Sequence, residues 1–452
     1  MPEEAVREAA DGLPTPRRYW AIIAITASIA MTVLDSSMVS VALPGIAHDL
    51  GISPAAATWL LNAYQLIVVT TLLPLASLGE VLGFRRVFLT GFAIFALASL
   101  GAALAPSYGA LLTWRILQGL GASAVMSLTA GLIRYTYPAS QLGRAIGINA
   151  MVVAVSGASA PTLAGAILAV APWPVLFLVN VPVGVLGILI GLRALPDPAG
   201  TQRPFDIASA ALNILAFGLF FLGLYMLLAA TLPALLMIAG GLAAGTWLVQ
   251  RQLVQPAPLL PIDLLRIRVI AMAVAASVCA FAAWYASYVS LPFLLHAAGY
   301  SQAQTGLLMT PWPLGMAAAA PLAGRLSDRV PTAILGTIGM AVMALGLLLI
   351  AFMPLLGYAL LLGPTMALCG AGFGSFQTPN NRTMLGSAPK ARSGGAGGMQ
   401  ATARLLGTTL GTMVLALCFQ VAGEEGPRMA LLVGIGFALA AGTLSLSRWK
   451  LR

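Results

Sequence analysis

Charge is scarce in this 452-residue chain. Asp, Glu, Lys and Arg together make up 8% of it, against 60% hydrophobic residues. A water-soluble domain of this size needs far more polar surface to stay dispersed, so the solvent implied is a lipid bilayer. Histidine is nearly absent: His48 and His296 both fall near predicted helix ends and are too few for a haem-binding electron carrier. The three cysteines, Cys279, Cys369 and Cys418, lie within predicted helices as small packing residues. They offer no disulfide framework, and no metal site or cofactor is expected. No GxxxxGK[ST] phosphate loop occurs, which argues against ATP hydrolysis by this chain. No catalytic cluster and no sizeable polar stretch suggest a membrane enzyme or a receptor.

What the chain has instead is apolar length. A spanning helix takes about 20 apolar residues, because each rises about 1.5 Å across a hydrocarbon core of about 30 Å. Runs of that length follow one another almost without pause, giving fourteen predicted spans from 19–43 to 428–447, with a mean hydropathy of +0.94 for the chain. The formal charge of +10 invites a nucleic-acid reading, and its distribution rejects one. With the N-terminus inside, twenty of the 23 Lys and Arg fall in the tails and the cytoplasmic loops. Arg115 and Arg404 fall inside spans, and Arg428 alone lies outside. A missed or invented helix would invert every later loop and destroy this positive-inside pattern. Both termini are therefore expected in the cytoplasm. The N-terminus is acidic, then Pro-rich, then basic, without the basic start and short apolar core of a signal peptide, so the first span should be retained.

The predicted organisation is a cytoplasmic tail (1–18), a six-helix block (19–195), a linker with two further helices (196–267) and a second six-helix block with a short tail (268–452). The two blocks look related. LGEVLGFRR (78–86) follows the second span of the first, and GRLSDRVP (324–331) follows the second span of the other. Both put a carboxylate and arginines at the same cytoplasmic corner: Glu80, Gly83, Arg85 and Arg86 in one, Asp328 and Arg329 in the other. The fifth span of each block is glycine-rich, with Gly143, Gly147, Gly157 and Gly165 against Gly394, Gly398, Gly407 and Gly411. Small residues four apart let helix backbones approach closely; the same spacing suits plain packing and bundles that must rock.

Ionisable groups inside spans are costly, about 3 kcal/mol or more each at the bilayer centre. Of thirteen acids only Asp35 lies well inside a span. Desolvation disfavours the charged form of a lone buried carboxylate, so such a group can hold a proton in one conformation and release it in another. The plain alternative is a packing hydrogen bond to Ser36, Ser37 or a neighbouring helix. Arg115, in WRILQGLGAS (114–123), must be paired, with Asp35, Gln118 or backbone carbonyls as candidates. Arg404, about two turns into the thirteenth span, is expected to snorkel to the cytoplasmic surface. Trp59, Asn62 and Tyr64 on the second span, Trp284, Tyr285 and Tyr288 on the ninth, and Trp312 between two prolines are candidates for lining a cavity. Aromatic faces attract organic cations; membrane aromatics also populate interfacial belts. A single buried acid further suggests that monovalent cations are handled better than dications.

Taken in order, these motifs resemble the major facilitator superfamily, specifically its fourteen-helix drug:proton antiporter branch, over nearly the whole chain. LDSSMVSVALP (34–44) is similar to the first-helix motif, in which the Asp is implicated in coupling. LGEVLGFRR resembles the signature after the second helix, with Glu80 where Asp is usual. RILQGLGAS resembles the fourth-helix motif. GINAMVVAVSGASAPTLAG (147–165) resembles a loosened antiporter motif, with Pro161 and Gly165 in place. The stretch 376–407 is most similar to the subgroup exporting quaternary ammonium compounds and dyes. The resemblance implies an all-α fold of two pseudo-symmetric six-helix bundles plus a linking pair. It also implies a monomer in a bacterial inner membrane that exports lipophilic cations against protons by alternating access. Asp35 and Arg115 would couple protons, with Asp35, Trp59, Asn62, Tyr64, Gln118, Trp284, Tyr285, Tyr288 and Trp312 at the substrate. Glu80, Gly83, Arg85, Arg86, Pro161, Gly165, Asp328 and Arg329 would act in gating. A narrow exporter of one metabolite or self-made toxin, or an uptake symporter, remain the alternatives.

Overall fold

The computed structural model describes residues 12–138, 141–197, 205–227, 230–254, 262–353, 359–388 and 393–451. The first eleven residues and parts of the loops expected near 198–204, 255–261 and 389–392 lie outside them. Helix dominates, and each of the fourteen expected spans falls on one helix or a pair. In chain order the helices are α1 (Arg17–Asp49), α2 (Pro54–Leu82), α3 (Phe84–Ala103), α4 (Tyr108–Thr136) and α5 (Leu142–Val170). The sixth span divides into α6 (Pro174–Leu178) and α7 (Asn180–Ala194). Then come α8 (Ile207–Met226), α9 (Thr231–Val254) and α10 (Arg268–Ala297). The tenth span divides into α11 (Gln302–Met309) and α12 (Pro311–Leu326), and α13 (Thr332–Phe352), α14 (Ala359–Ser387), α15 (Ser393–Ala422) and α16 (Gly426–Ser447) complete the chain.

Local chemistry sets several of these boundaries. Ser53 caps α2 by accepting from the Ala56 amide at 3.2 Å, with Pro54 at the first helical position, where its missing N–H costs nothing. Ser301 and Gln304 form a reciprocal capping box on α11. Gly83 separates α2 from α3 with φ of 99°, a left-handed backbone for which glycine carries no Cβ penalty. Pro311, which has no amide hydrogen, opens α12 directly after the Thr310 break.

Helices α1–α7 form one bundle and α10–α16 the other. The bundles meet along two seams of like construction. The second span of the first (α2) packs on the fifth of the second (α15), and α5 packs on α11 and α12. The linking helices α8 and α9 lie outside both bundles. α8 rests on α2 and α15, and the Asn213 amide donates to the Thr70 carbonyl at 2.6 Å. Arg251 of α9 pairs with Asp206 at 3.0 Å, and Gln252 donates to Ser209 at 2.8 Å, holding the pair together. Large apolar side chains such as Leu232, Leu236 and Trp247 stand exposed on α9, as lipid contact requires.

Candidate central cavity and buried ion pair

Asp35 sits midway along the 33-residue α1 and is 1% exposed. Its partners arrive from two other helices. Arg115 of α4 donates to Oδ2 at 2.6 Å, while Gln118 of α4 and Asn180 of α7 each donate to Oδ1 at 2.8 Å. Arg115 also donates to the Gln118 side-chain oxygen at 2.5 Å and, through Nε, to the Leu60 carbonyl at 2.9 Å. All three partners expected for Arg115 are thus met at once. The guanidinium lies over the Tyr64 ring, 4.4 Å from its centroid, and 5.7 Å from that of Phe177. Three hydrogen-bonding side chains around one carboxylate satisfy a group that lipid alone would exclude. Asn180 and Ser99, which accepts from Gln118 at 2.8 Å, are members that the sequence reading did not single out.

The bundles enclose a cavity of about 530 Å³. One wall is aromatic: Trp284 stacks on Phe373 with centroids 5.0 Å apart, meets Tyr285 edge-on at 5.4 Å, and Tyr288 meets Trp312 at 5.9 Å. Gln65, Asn149, Gln377, Asn381 and Gln400 supply amides. Tyr64, Trp284, Tyr285, Tyr288 and Trp312 line the cavity. Asp35, Gln118, Asn62 and Trp59 do not. Asp35 and Gln118 are consumed within the first bundle, Asn62 is fully buried in α2, and Trp59 packs edge-on against Tyr225 of α8 at 4.5 Å. The side chain one position after Asp35 does reach the cavity. Ser36 meets the Tyr285 hydroxyl at 2.9 Å, and Gln65 donates to both at 3.3 and 3.2 Å, bridging the two bundles.

Arg404 departs from expectation. Its side chain lines the cavity instead of snorkelling, because it stands twelve residues into α15 on the face turned toward the first bundle. At about 1.5 Å per residue that is roughly 16 Å from the helix start, beyond easy reach of the surface.

The end of the molecule away from the termini is closed. There α5 crosses α11 with glycine facing glycine: a Cβ added to Gly165 would meet the Ala303 carbonyl at 2.8 Å, and one on Gly306 would strike the Pro161 carbonyl. The Thr162 and Thr310 hydroxyls touch at 2.5 Å across the same crossing. On α15 of the second bundle, a Cβ added to Gly407 or Gly411 would meet α10 carbonyls at 2.6 and 2.7 Å, whereas one added to Gly157 of α5 would meet only the Val33 side chain, at 3.9 Å. The cavity runs from the aromatic wall toward the end carrying the termini, where Asn149, Asn381 and Gln400 lie.

The corner residues act within their own bundles. Arg85 donates to the Leu192 carbonyl and lies 3.7 Å from Asp197. Asp328 accepts from Arg382 of α14 at 2.6 Å, and Arg329 is exposed. Arg382 was not a candidate site residue; it lies 54 positions from its partner.

Residues 25–412 match the Major Facilitator Superfamily. The chain belongs to that family of membrane transporters. It is 44% identical over 448 residues to the uncharacterized transporter YebQ of Escherichia coli, covering 96% of each chain. It is 30% identical to the riboflavin transporter RibZ of Clostridioides difficile, over 88% of this chain and 87% of that one. Multidrug resistance protein Stp of Mycobacterium tuberculosis is also 30% identical, over 87% and 74% of the two chains. A crystal structure of a POT family transporter in complex with a thioalcohol-conjugated peptide superposes with a TM-score of 0.69 at 14% identity, covering 93% and 94% of the two chains. That likeness is one of fold.

Proposed function

We propose that this transporter is a proton-coupled multidrug exporter, working by alternating access in a bacterial inner membrane with both termini cytoplasmic. The observation that carries the reading is the enclosed Asp35–Arg115 pair, one aromatic side chain away from the cavity. Protonation of Asp35 from outside removes the charge that holds Arg115, Gln118 and Asn180 around it. The network then loosens and the bundles return to the state in which the cavity faces the cytoplasm. Deprotonation toward the cytoplasm rebuilds the network and permits loading.

Substrates in this reading are amphipathic aromatic compounds held against Trp284, Tyr285, Tyr288 and Trp312. Lipophilic and quaternary ammonium cations are retained by ring faces alone, since Asp35 is already paired. The crossing of Pro161 and Gly165 on α11 and the corners at Glu80–Arg86 and Asp328–Arg329 serve as gates. Proton movement in proteoliposomes under an imposed pH gradient tests this. Several unrelated amphipathic compounds should dissipate the gradient, and Asp35→Asn should abolish the response. Full proton-coupled export by Asp35→Asn would overturn it.

One observation favours a narrower exporter. The side-chain oxygens of Asn149 and Asn381 and the indole nitrogens of Trp284 and Trp312 are buried without partners among the described residues, a polar pattern suited to one dedicated substrate. A response confined to a single compound among many would select that reading.

A further inference from the structure

An arginine with nothing to balance it is the most unusual group facing the cavity. Arg404 stands near mid-depth on α15, half-buried, and makes no ion pair or hydrogen bond among the described residues. The contrast with Arg115 is instructive. That arginine, fully buried, is surrounded by a carboxylate, an amide and a carbonyl. A guanidinium in the low-dielectric interior is expensive unless a counter-charge or water meets it. Nor does the cavity supply an acid: no Asp or Glu lines it among the described residues, and Asp35 is sealed behind Tyr64.

The other unsatisfied groups point the same way. The indole N–H of Trp312, a residue with no exposed surface, is a donor without an acceptor, and so is that of Trp284. Both belong to the aromatic wall of the cavity that also holds Arg404. Two neutral donors and one cation call for an acceptor-rich, negatively charged guest. The stacked Trp284 and Phe373 rings call for a flat one.

We infer that the cavity is built to take planar aromatic anions, with Arg404 as the counter-charge for a carboxylate or comparable acidic group. This rests on the cavity being the substrate site and goes beyond that reading, putting an anionic guest in place of the cationic one proposed above. Arg404 binds the acidic group directly. Trp312 and Trp284 donate to it or to ring acceptors. The Asn149 and Asn381 carbonyls accept from N–H or O–H groups at the guest's other edge.

Three probes sharing one ring system isolate charge: 9-anthracenecarboxylate, 9-anthracenemethanol and (9-anthracenylmethyl)trimethylammonium. Their binding to the purified full chain in detergent is read from quenching of tryptophan fluorescence. The carboxylate should bind at least about tenfold tighter than the alcohol, the gain expected of a charge-assisted hydrogen bond, and the ammonium weakest of all. Arg404→Gln should remove the carboxylate's advantage while leaving the alcohol within about twofold, which also reports that the cavity is intact. Arg404→Lys should keep part of it.

Equal binding of the three probes, preference for the ammonium, or an advantage surviving in Arg404→Gln would overturn the inference. The ranking in the unmodified chain decides the matter even if a variant fails to fold. With no gradient present, failure of proton-coupled export in liposomes would leave this result standing, and the reverse holds equally.

Discussion

Ser36 and Tyr285 meet hydroxyl to hydroxyl at 2.9 Å although 249 positions separate them. The residue beside Ser36 is Asp35, which turns away into the first bundle. Consecutive residues on one helix therefore hold the buried ion pair and the contact between bundles. Any movement that loosens one is felt by the other within a single turn.

Breaking that bridge should shift the balance of conformations. A hydrogen bond contributes about 1 kcal/mol net, so Tyr285→Phe should change the population ratio of inward- to outward-facing molecules about fivefold. Ser36→Ala added to it should change less than it does alone, because the hydroxyl–hydroxyl contact is already gone and only the bond from Gln65 is left to lose. Distances between spin labels on the two bundles at the closed end report the ratio. Fully additive effects would show that the hydroxyls do not act together.

The ion pair should matter more as a pair than as two residues. Arg115→Leu leaves the Asp35 carboxylate buried without its charge partner and should destabilise the protein by about 3–5 kcal/mol. Asp35→Asn combined with Arg115→Gln should cost much less. Thermal unfolding in detergent, followed by circular dichroism, distinguishes the two; similar losses would mean that the pair is solvated.

The crossing of α5 and α11 should tolerate no side chain. Gly306→Leu would press on the Pro161 carbonyl and hold the closed end apart. A cysteine introduced at Ala303 should then react with a membrane-impermeant maleimide from the face away from the termini, and resist it when Gly306 is intact. Equal labelling with and without the substitution would refute this.

Gly83→Ala should lower stability by about 1–2 kcal/mol, because φ of 99° sets a Cβ against its own backbone. The check is an unfolding midpoint that falls while the ranking of bound ligands stays unchanged.

Much of this molecule is legible in its residues, and the limits have a plain geometric cause. Apolar run lengths and the sorting of arginines locate all the spans, since lipid punishes a misplaced charge wherever it falls. The fourth-helix arginine could be given its partners because so few groups exist at that depth to satisfy it. Which side of a helix faces the cavity is another matter. One residue turns the direction by about 100°, so Asp35 and Ser36 exchange roles on a difference that no count of apolar positions resolves. Arg404 was placed wrongly for that reason. Asn149, Gln377, Asn381 and Gln400 went unnoticed because single amides scattered over three helices form no pattern until the helices are assembled.

The linking pair gives the transporter a stiff side and a soft side. α8 lies across the seam between α2 and α15, while among the described residues neither linking helix packs on the seam of α5 with α11 and α12. In the alternating-access reading proposed above, parting the bundles at the first seam would shear the packed α8 and α9 along with it, and at the second would meet no such load. Two halves of like helical design are thereby covered unequally, and in the alternating-access reading proposed above the rocking axis is biased by a part that lies outside both bundles.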